Sequence, residues 1–129
     1  MNSFLKRAEE IKDTIIKDRR TIHGYAEREF DLEKTVAYVC KNLKEADIEP
    51  KIVGKSGITC LIGNGKGKTI LIRGDMDALP MKEESGLDFA ATNGNCHSCG
   101  HDSHTAMLLA AAKLLKERES EINGYVKFM

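Results

Sequence analysis

The sequence predicts an α/β domain with a mixed sheet, and three features carry that expectation. Apolar residues recur at helical spacing in two N-terminal segments, 3–20 and 31–46. Two short runs rich in β-branched residues, 58–62 and 69–73, follow across a glycine-rich link. A strongly helix-forming segment, 105–116, then leads into a last apolar run at 124–128, the order of a strand–helix–strand crossover.

In the first segment Phe4, Leu5, Ala8, Ile11, Ile15 and Ile16 make one apolar stripe among Lys, Arg, Asp and Glu, which predicts an amphipathic surface helix. The pattern breaks over 19–27, with Gly24 as the expected stop. The second helix carries Leu32, Val36, Val39, Leu43 and Ala46 on one face, and Asp31 stands where an N-cap would. Pro50 opens an extended segment, Lys51-Ile-Val. Ile58-Thr-Cys-Leu-Ile62 and Thr69-Ile-Leu-Ile-Arg73, joined by Gly63-Asn-Gly-Lys-Gly-Lys68, read as a hairpin. That link is not a phosphate loop: Gly63 to Gly67-Lys68-Thr69 is one residue short of the Walker A spacing, and a strand follows where a helix is required. Arg73-Gly74-Asp75 matches an adhesion tripeptide but falls at the end of what reads as a buried strand. Pro80 cannot continue a ladder, and the 124–128 run should lie parallel to the 69–73 strand.

At 129 residues the chain fits one domain with a real core. Its 20 Lys and Arg balance 20 Asp and Glu, so no electrostatic footprint for nucleic acid or an anionic membrane exists. No apolar run reaches the length of a membrane span, and Met1-Asn-Ser-Phe-Leu-Lys-Arg7 lacks a signal peptide's apolar core, so a soluble cytoplasmic protein is expected. Of the four cysteines, Cys40 and Cys60 sit on apolar faces and read as core.

Chemistry concentrates in Cys96-His97-Ser98-Cys99-Gly100-His101-Asp102-Ser103-His104, five potential thiol and imidazole metal ligands in nine residues. Thiolate and imidazole suit zinc and its first-row neighbours rather than magnesium or calcium. The 105–116 helix follows directly, and its N-terminus favours negative charge at the loop. Cys96-x-x-Cys99 alone admits half a structural zinc site, a dithiol redox pair or two unrelated thiols. A structural site would need two further ligands, and no second C-x-x-C occurs. His97 and His104 read as supporting or surface groups, and His23 as structural or adjacent to substrate. Asp75 and Asp77 lie immediately past a strand end, where α/β sheets place functional groups. A crossover would bring them to the edge that carries the 96–104 turn. A catalytic metal site therefore explains more of the sequence than a structural one, because a carboxylate can bridge ions or orient a ligand histidine.

Together, Asp75-Met-Asp-Ala-Leu-Pro80, Gly86-Leu-Asp-Phe89 and Cys99-Gly-His-Asp-Ser-His104 resemble the metal-dependent amidohydrolases that include hippurate hydrolase, N-acyl-amino-acid amidohydrolases and N-acetyldiaminopimelate deacetylase, within the clan of cocatalytic-zinc aminoacylases and dipeptidases. Arg19-Arg20-x-x-His23 and Gly124-Tyr-Val-Lys-Phe128 match the same family in the same order. The resemblance implies a zinc-aminopeptidase-like α/β/α catalytic domain with a mixed sheet. It implies Cys99 and His101 as metal ligands and Asp75 and Asp77 as the carboxylates of the catalytic motif, with Asp75 favoured as the catalytic one. The implied reaction is hydrolysis of an N-acyl amino acid or related amide by metal-bound water. The implied cofactor is zinc or manganese, with nickel and cobalt as further candidates and two ions in the intact family.

Two departures touch no ligand: the family's Pro-Glu reads Ala26-Glu27, and its Met before the metal-loop His is Cys96. The larger departure is length. The family's glutamate pair, two later histidines and inserted lid domain have no counterpart, so residues 1–129 are expected to be the N-terminal portion of the catalytic domain, inactive alone. The alternative expectation is a non-catalytic metal-binding or assembly module. An unpaired last strand makes a homo-oligomer the expected state under either.

Overall fold

The computed structural model describes residues 3–129. Helices α1 (Ser3–Glu10) and α2 (Lys12–Tyr25) cover the first segment. Helical hydrogen bonding continues across Ile11, from its N–H to Arg7 O at 3.2 Å and from Ile15 N–H to Ile11 O at 3.1 Å. The helix does not break at Arg19. Its inward stripe turns polar there, with Asp18, Ile22 and His23 buried, so the apolar period fades while the helix goes on. It ends at Ala26, not Gly24: Ala26 takes a left-handed φ of 38° and donates its N–H to Ile22 O.

Helix α3 (Glu33–Glu45) starts without the expected Asp31 cap, since the N-cap position is Leu32 and no side chain there bonds to the helix. The free amides are met instead by Glu27, whose carboxylate accepts Lys34 N–H at 2.9 Å and Thr35 N–H at 2.8 Å.

Four strands form one sheet in the order β1 (Lys51–Val53), β2 (Gly57–Gly63), β4 (Tyr125–Phe128), β3 (Thr69–Ile72). The β1–β2 and β2–β4 pairs are antiparallel, and β3–β4 is parallel, as the crossover required. The hairpin expected between 58–62 and 69–73 is not formed, because β4 inserts between those strands and the hairpin lies between β1 and β2. The glycine-rich link is a collar around the incoming strand. A Cβ on Gly63 would fall on the Gly124 carbonyl, and one on Gly67 on the Asn123 carbonyl. Asn64 N–H donates to Gly124 O at 3.0 Å and Tyr125 N–H to Lys68 O at 3.1 Å.

Two further expectations change with this order. The last strand is paired on both sides, and the edge falls to β3, which is not buried: Ile70 and Leu71 are 61% and 54% exposed. The core lies on one face of the sheet, where Ile58, Cys60 and Ile62 of β2 and Phe128 of β4 meet Val39 and Leu43 of α3. Leu109 and Ala112 of helix α4 (His101–Lys116) complete it. Cys60 is buried there and Cys40 packs against it, as read. This face anchors α4 so that its N-terminus stands beyond the carboxyl end of β3.

Candidate functional site

The strip after β3 is clamped from three sides. Thr105 Oγ1 donates to Asp75 O at 3.0 Å, Ala78 N–H to Glu27 O at 2.7 Å, and Leu79 and Cys96 exchange both backbone bonds at 3.0 Å. Opposite it, Gly100 adopts φ 86° at the N-cap of α4, with its N–H on His97 O at 3.2 Å and its carbonyl accepting Ser103 and His104. That left-handed turn aims Cys99 and His101 back at the strip.

The aspartate strip and the thiol–imidazole turn therefore face each other. His101 Nδ1 lies 2.9 Å from Asp77 O and 3.0 Å from Asp77 Oδ1. Both partners are acceptors, so Nδ1 carries a hydrogen, and Nε2 is the nitrogen left for a ligand. Nε2 points toward Asp75 Oδ1 at 3.8 Å, and the same oxygen lies 3.1 Å from His104 Nδ1. The rings of His101 and His104 stack at 5.4 Å and 27°. The hydrogen bond to His104 holds the Asp75 carboxyl below the usual carboxylate range, with His101 and Arg73 acting in the same direction against desolvation.

Asp75, His101 and His104 each offer a ligand atom within 4.8 Å of the others. His104, a bystander in the sequence reading, thus joins the donors. Cys99 sits on the other side of His101, its sulfur 3.6 Å from Asp77 O, and is not one of that trio. Both loop cysteines are free thiols, which disposes of a 96–99 disulfide; Cys96 is buried against Leu79, and burial pushes its thiol up. His97 is buried with neither ring nitrogen hydrogen-bonded, and burial lowers its pKa, consistent with a neutral imidazole.

Beneath the turn lies a layer whose pairing sequence reasoning did not give, although it read His23 as structural or adjacent to substrate. His23 is buried, with Nδ1 2.7 Å from Asp102 Oδ2 and Nε2 2.9 Å from Glu83 Oε1. Arg19 Nε stands 2.7 Å from the same Asp102 oxygen, an ion pair not aligned as a hydrogen bond. Arg19 and His23 are four residues apart on α2, the one signal the sequence offered.

The family model described as peptidase family M20/M25/M40 matches residues 71–129. An N-acyl-L-amino acid amidohydrolase of Geobacillus stearothermophilus is 40% identical over 124 residues, 94% of this chain and 34% of the relative. An N-acetyl-L-cysteine deacetylase of Bacillus subtilis is 38% identical over 122 residues, 92% of this chain and 29% of the relative. Among solved structures, the Bacillus subtilis YXEP protein, described as a dinuclear metal binding peptidase from the M20 family, superposes with a TM-score of 0.87 at 37% identity, covering 93% of this chain and 34% of that one. The chain thus spans about a third of the length of the relatives it matches.

Proposed function

This chain belongs to peptidase family M20/M25/M40, and from that footing we propose that it forms part of a metal-dependent amidohydrolase acting on N-acyl amino acids or a related amide. The observation that carries the reading is His101, which gives Nδ1–H to Asp77 and turns Nε2 toward Asp75 at 3.8 Å. Orientation of a ligand histidine by a carboxylate on its other nitrogen is the support that metal sites need.

The donor set fits a divalent ion. Cys99 is in no disulfide, and Asp75 and His104 stand close enough to His101 to share a cation. Cys99 and His101 would hold zinc or manganese, with nickel and cobalt also suited, and two ions would need the trio and the thiol together. Such an ion supplies Lewis acidity that polarises an amide carbonyl and acidifies water. The chain's own residues do the positioning: Asp77 fixes the His101 ring, and Thr105 holds the backbone of Asp75 against α4. Asp77 also offers a carboxylate beside the reacting position, and Asp75 is the carboxylate we favour as catalytic.

On the same reading residues 1–129 supply the N-terminal portion of a catalytic domain and turn over little substrate alone. The exposed β3 edge favours a second reading, an assembly module that self-associates through Ile70 and Leu71.

The test is a Co²⁺ titration read by thiolate-to-cobalt charge-transfer absorption, with hippurate and N-acetyl amino acids assayed in parallel. We expect a band in the native chain that Cys99→Ser removes, with turnover far below that of a full-length relative. A chain that binds no cobalt would overturn the metal reading. Turnover equal to a full-length relative would overturn the low-activity part, and stoichiometric metal in a dimer without turnover would favour the assembly module.

A further inference from the structure

Four charged side chains from three parts of the chain meet under the 96–104 turn. Arg19 and His23 come from α2, Glu83 from the loop after Pro80, and Asp102 from the first turn of α4. Asp102 is fully buried and the Glu83 side chain is 3% exposed. Each ring nitrogen of His23 faces a carboxylate, Asp102 on one side and Glu83 on the other. The quartet sets the Arg19 guanidinium and the His23 imidazole against two buried carboxylates, the pairing that buried carboxylates require.

Its position is what matters. Asp102 follows His101 directly and is three residues from Cys99, so whatever fixes Asp102 fixes the start of α4 and the turn leading into it. Glu83 reaches further into the same loop region, accepting Ala91 N–H at 2.7 Å and Ser85 Oγ–H at 2.6 Å. The Phe89 ring closes the assembly, edge-on to His23 at 5.4 Å with the Arg19 and Arg20 guanidinium groups 5.3 and 4.9 Å from its centroid. Three segments that share no secondary structure are thereby pinned to the residue next to His101.

We infer that Arg19, His23 and Glu83 are positioning residues of the 96–104 turn, acting through Asp102 to preset Cys99 and His101; this rests on the reading of that turn as the metal loop. They touch neither donor. A second buried polar cluster links the same helices: Tyr38 O–H donates to Asp18 Oδ1 at 2.7 Å, and Lys113 Nζ pairs with Asp18 Oδ2 at 3.4 Å. It grips α4 far from the turn. It is therefore the control for a role that is merely structural.

The experiment compares His23→Gln, Glu83→Gln and Tyr38→Phe with the native chain in two measurements, amide hydrogen exchange without metal and Co²⁺ affinity. The expected result is exchange at residues 97–104 at least about tenfold faster in the first two variants, beyond any change in the rest of the chain. Their cobalt affinity should fall about 10–100-fold, with Tyr38→Phe altering neither. Exchange at 97–104 that rises no more than elsewhere, or equally in Tyr38→Phe, would overturn the inference. If His23→Gln fails to fold, Glu83→Gln, which keeps the His23–Asp102 contact, reads the same quantity. A native chain that binds no cobalt would overturn the metal reading, and the exchange measurement would still decide this one.

Discussion

The donor rim and the layer beneath it are made of the same residue types and behave as opposites. On the rim, the side chains of Asp75, Asp77, His101 and His104 are 28%, 44%, 24% and 46% exposed, and the contacts are ones an arriving ion could exchange. One layer down, Asp102 and His23 are sealed, and His23 lies between two buried carboxylates. The difference teaches that the site separates holding from reacting: fixed charge pairs set the loop, and the groups left over are those free to take a ligand.

The largest effect that could break this comparison is removal of a buried charge. Asp102→Ala takes the carboxylate from Arg19 and from His23 Nδ1 and should cost about 3–5 kcal/mol by urea unfolding; a loss under about 1 kcal/mol would mean the layer is not holding anything. Next comes the acid limb. Burial pushes the Glu83 carboxyl up, but hydrogen bonds from Ser85, His23 and Ala91 outweigh it and hold the group near about 2, against an ordinary 4.5. A depressed folded pKa means stability that is present above the unfolded value and lost as pH falls from 4.5 toward about 2. Glu83→Gln should flatten that part of the stability curve, and an unchanged acid limb would contradict the assignment.

Smaller still is loss of the Glu27 cap on α3, which sits outside both layers. Glu27→Ala should cost about 0.5–2 kcal/mol and leave metal affinity alone. The smallest stability effect belongs to the rim: His104→Ala should change unfolding by no more than about 0.5 kcal/mol, yet weaken cobalt binding. A rim substitution as destabilising as Asp102→Ala would erase the distinction.

The two layers were also unequally legible. The rim announces itself, because Asp75-Met-Asp77 and Cys99-Gly-His101 are short spacings of ligand types next to a strand end and a helix start. The helices and the parallel β3–β4 pair followed from periodicity and crossover order. Glu83 did not, because it stands in Lys82-Glu83-Glu84, a run that looks solvated, and its partner His23 is 60 residues away. Asp102 meets His23 across 79 residues, and no local pattern reports such a pairing. The 63–68 link misled for a related reason: a glycine-rich turn and a glycine collar around a distant strand have the same composition.

The central claim is that the cysteine–histidine turn, facing the aspartate strip, holds a metal ion through Cys99 and His101. Zinc K-edge X-ray absorption on the metal-loaded chain tests it directly. A sulfur scatterer near about 2.3 Å with imidazole nitrogen near about 2.0 Å, the sulfur lost in Cys99→Ser, is the predicted result. A shell of nitrogen and oxygen alone, indifferent to Cys99→Ser, would contradict it.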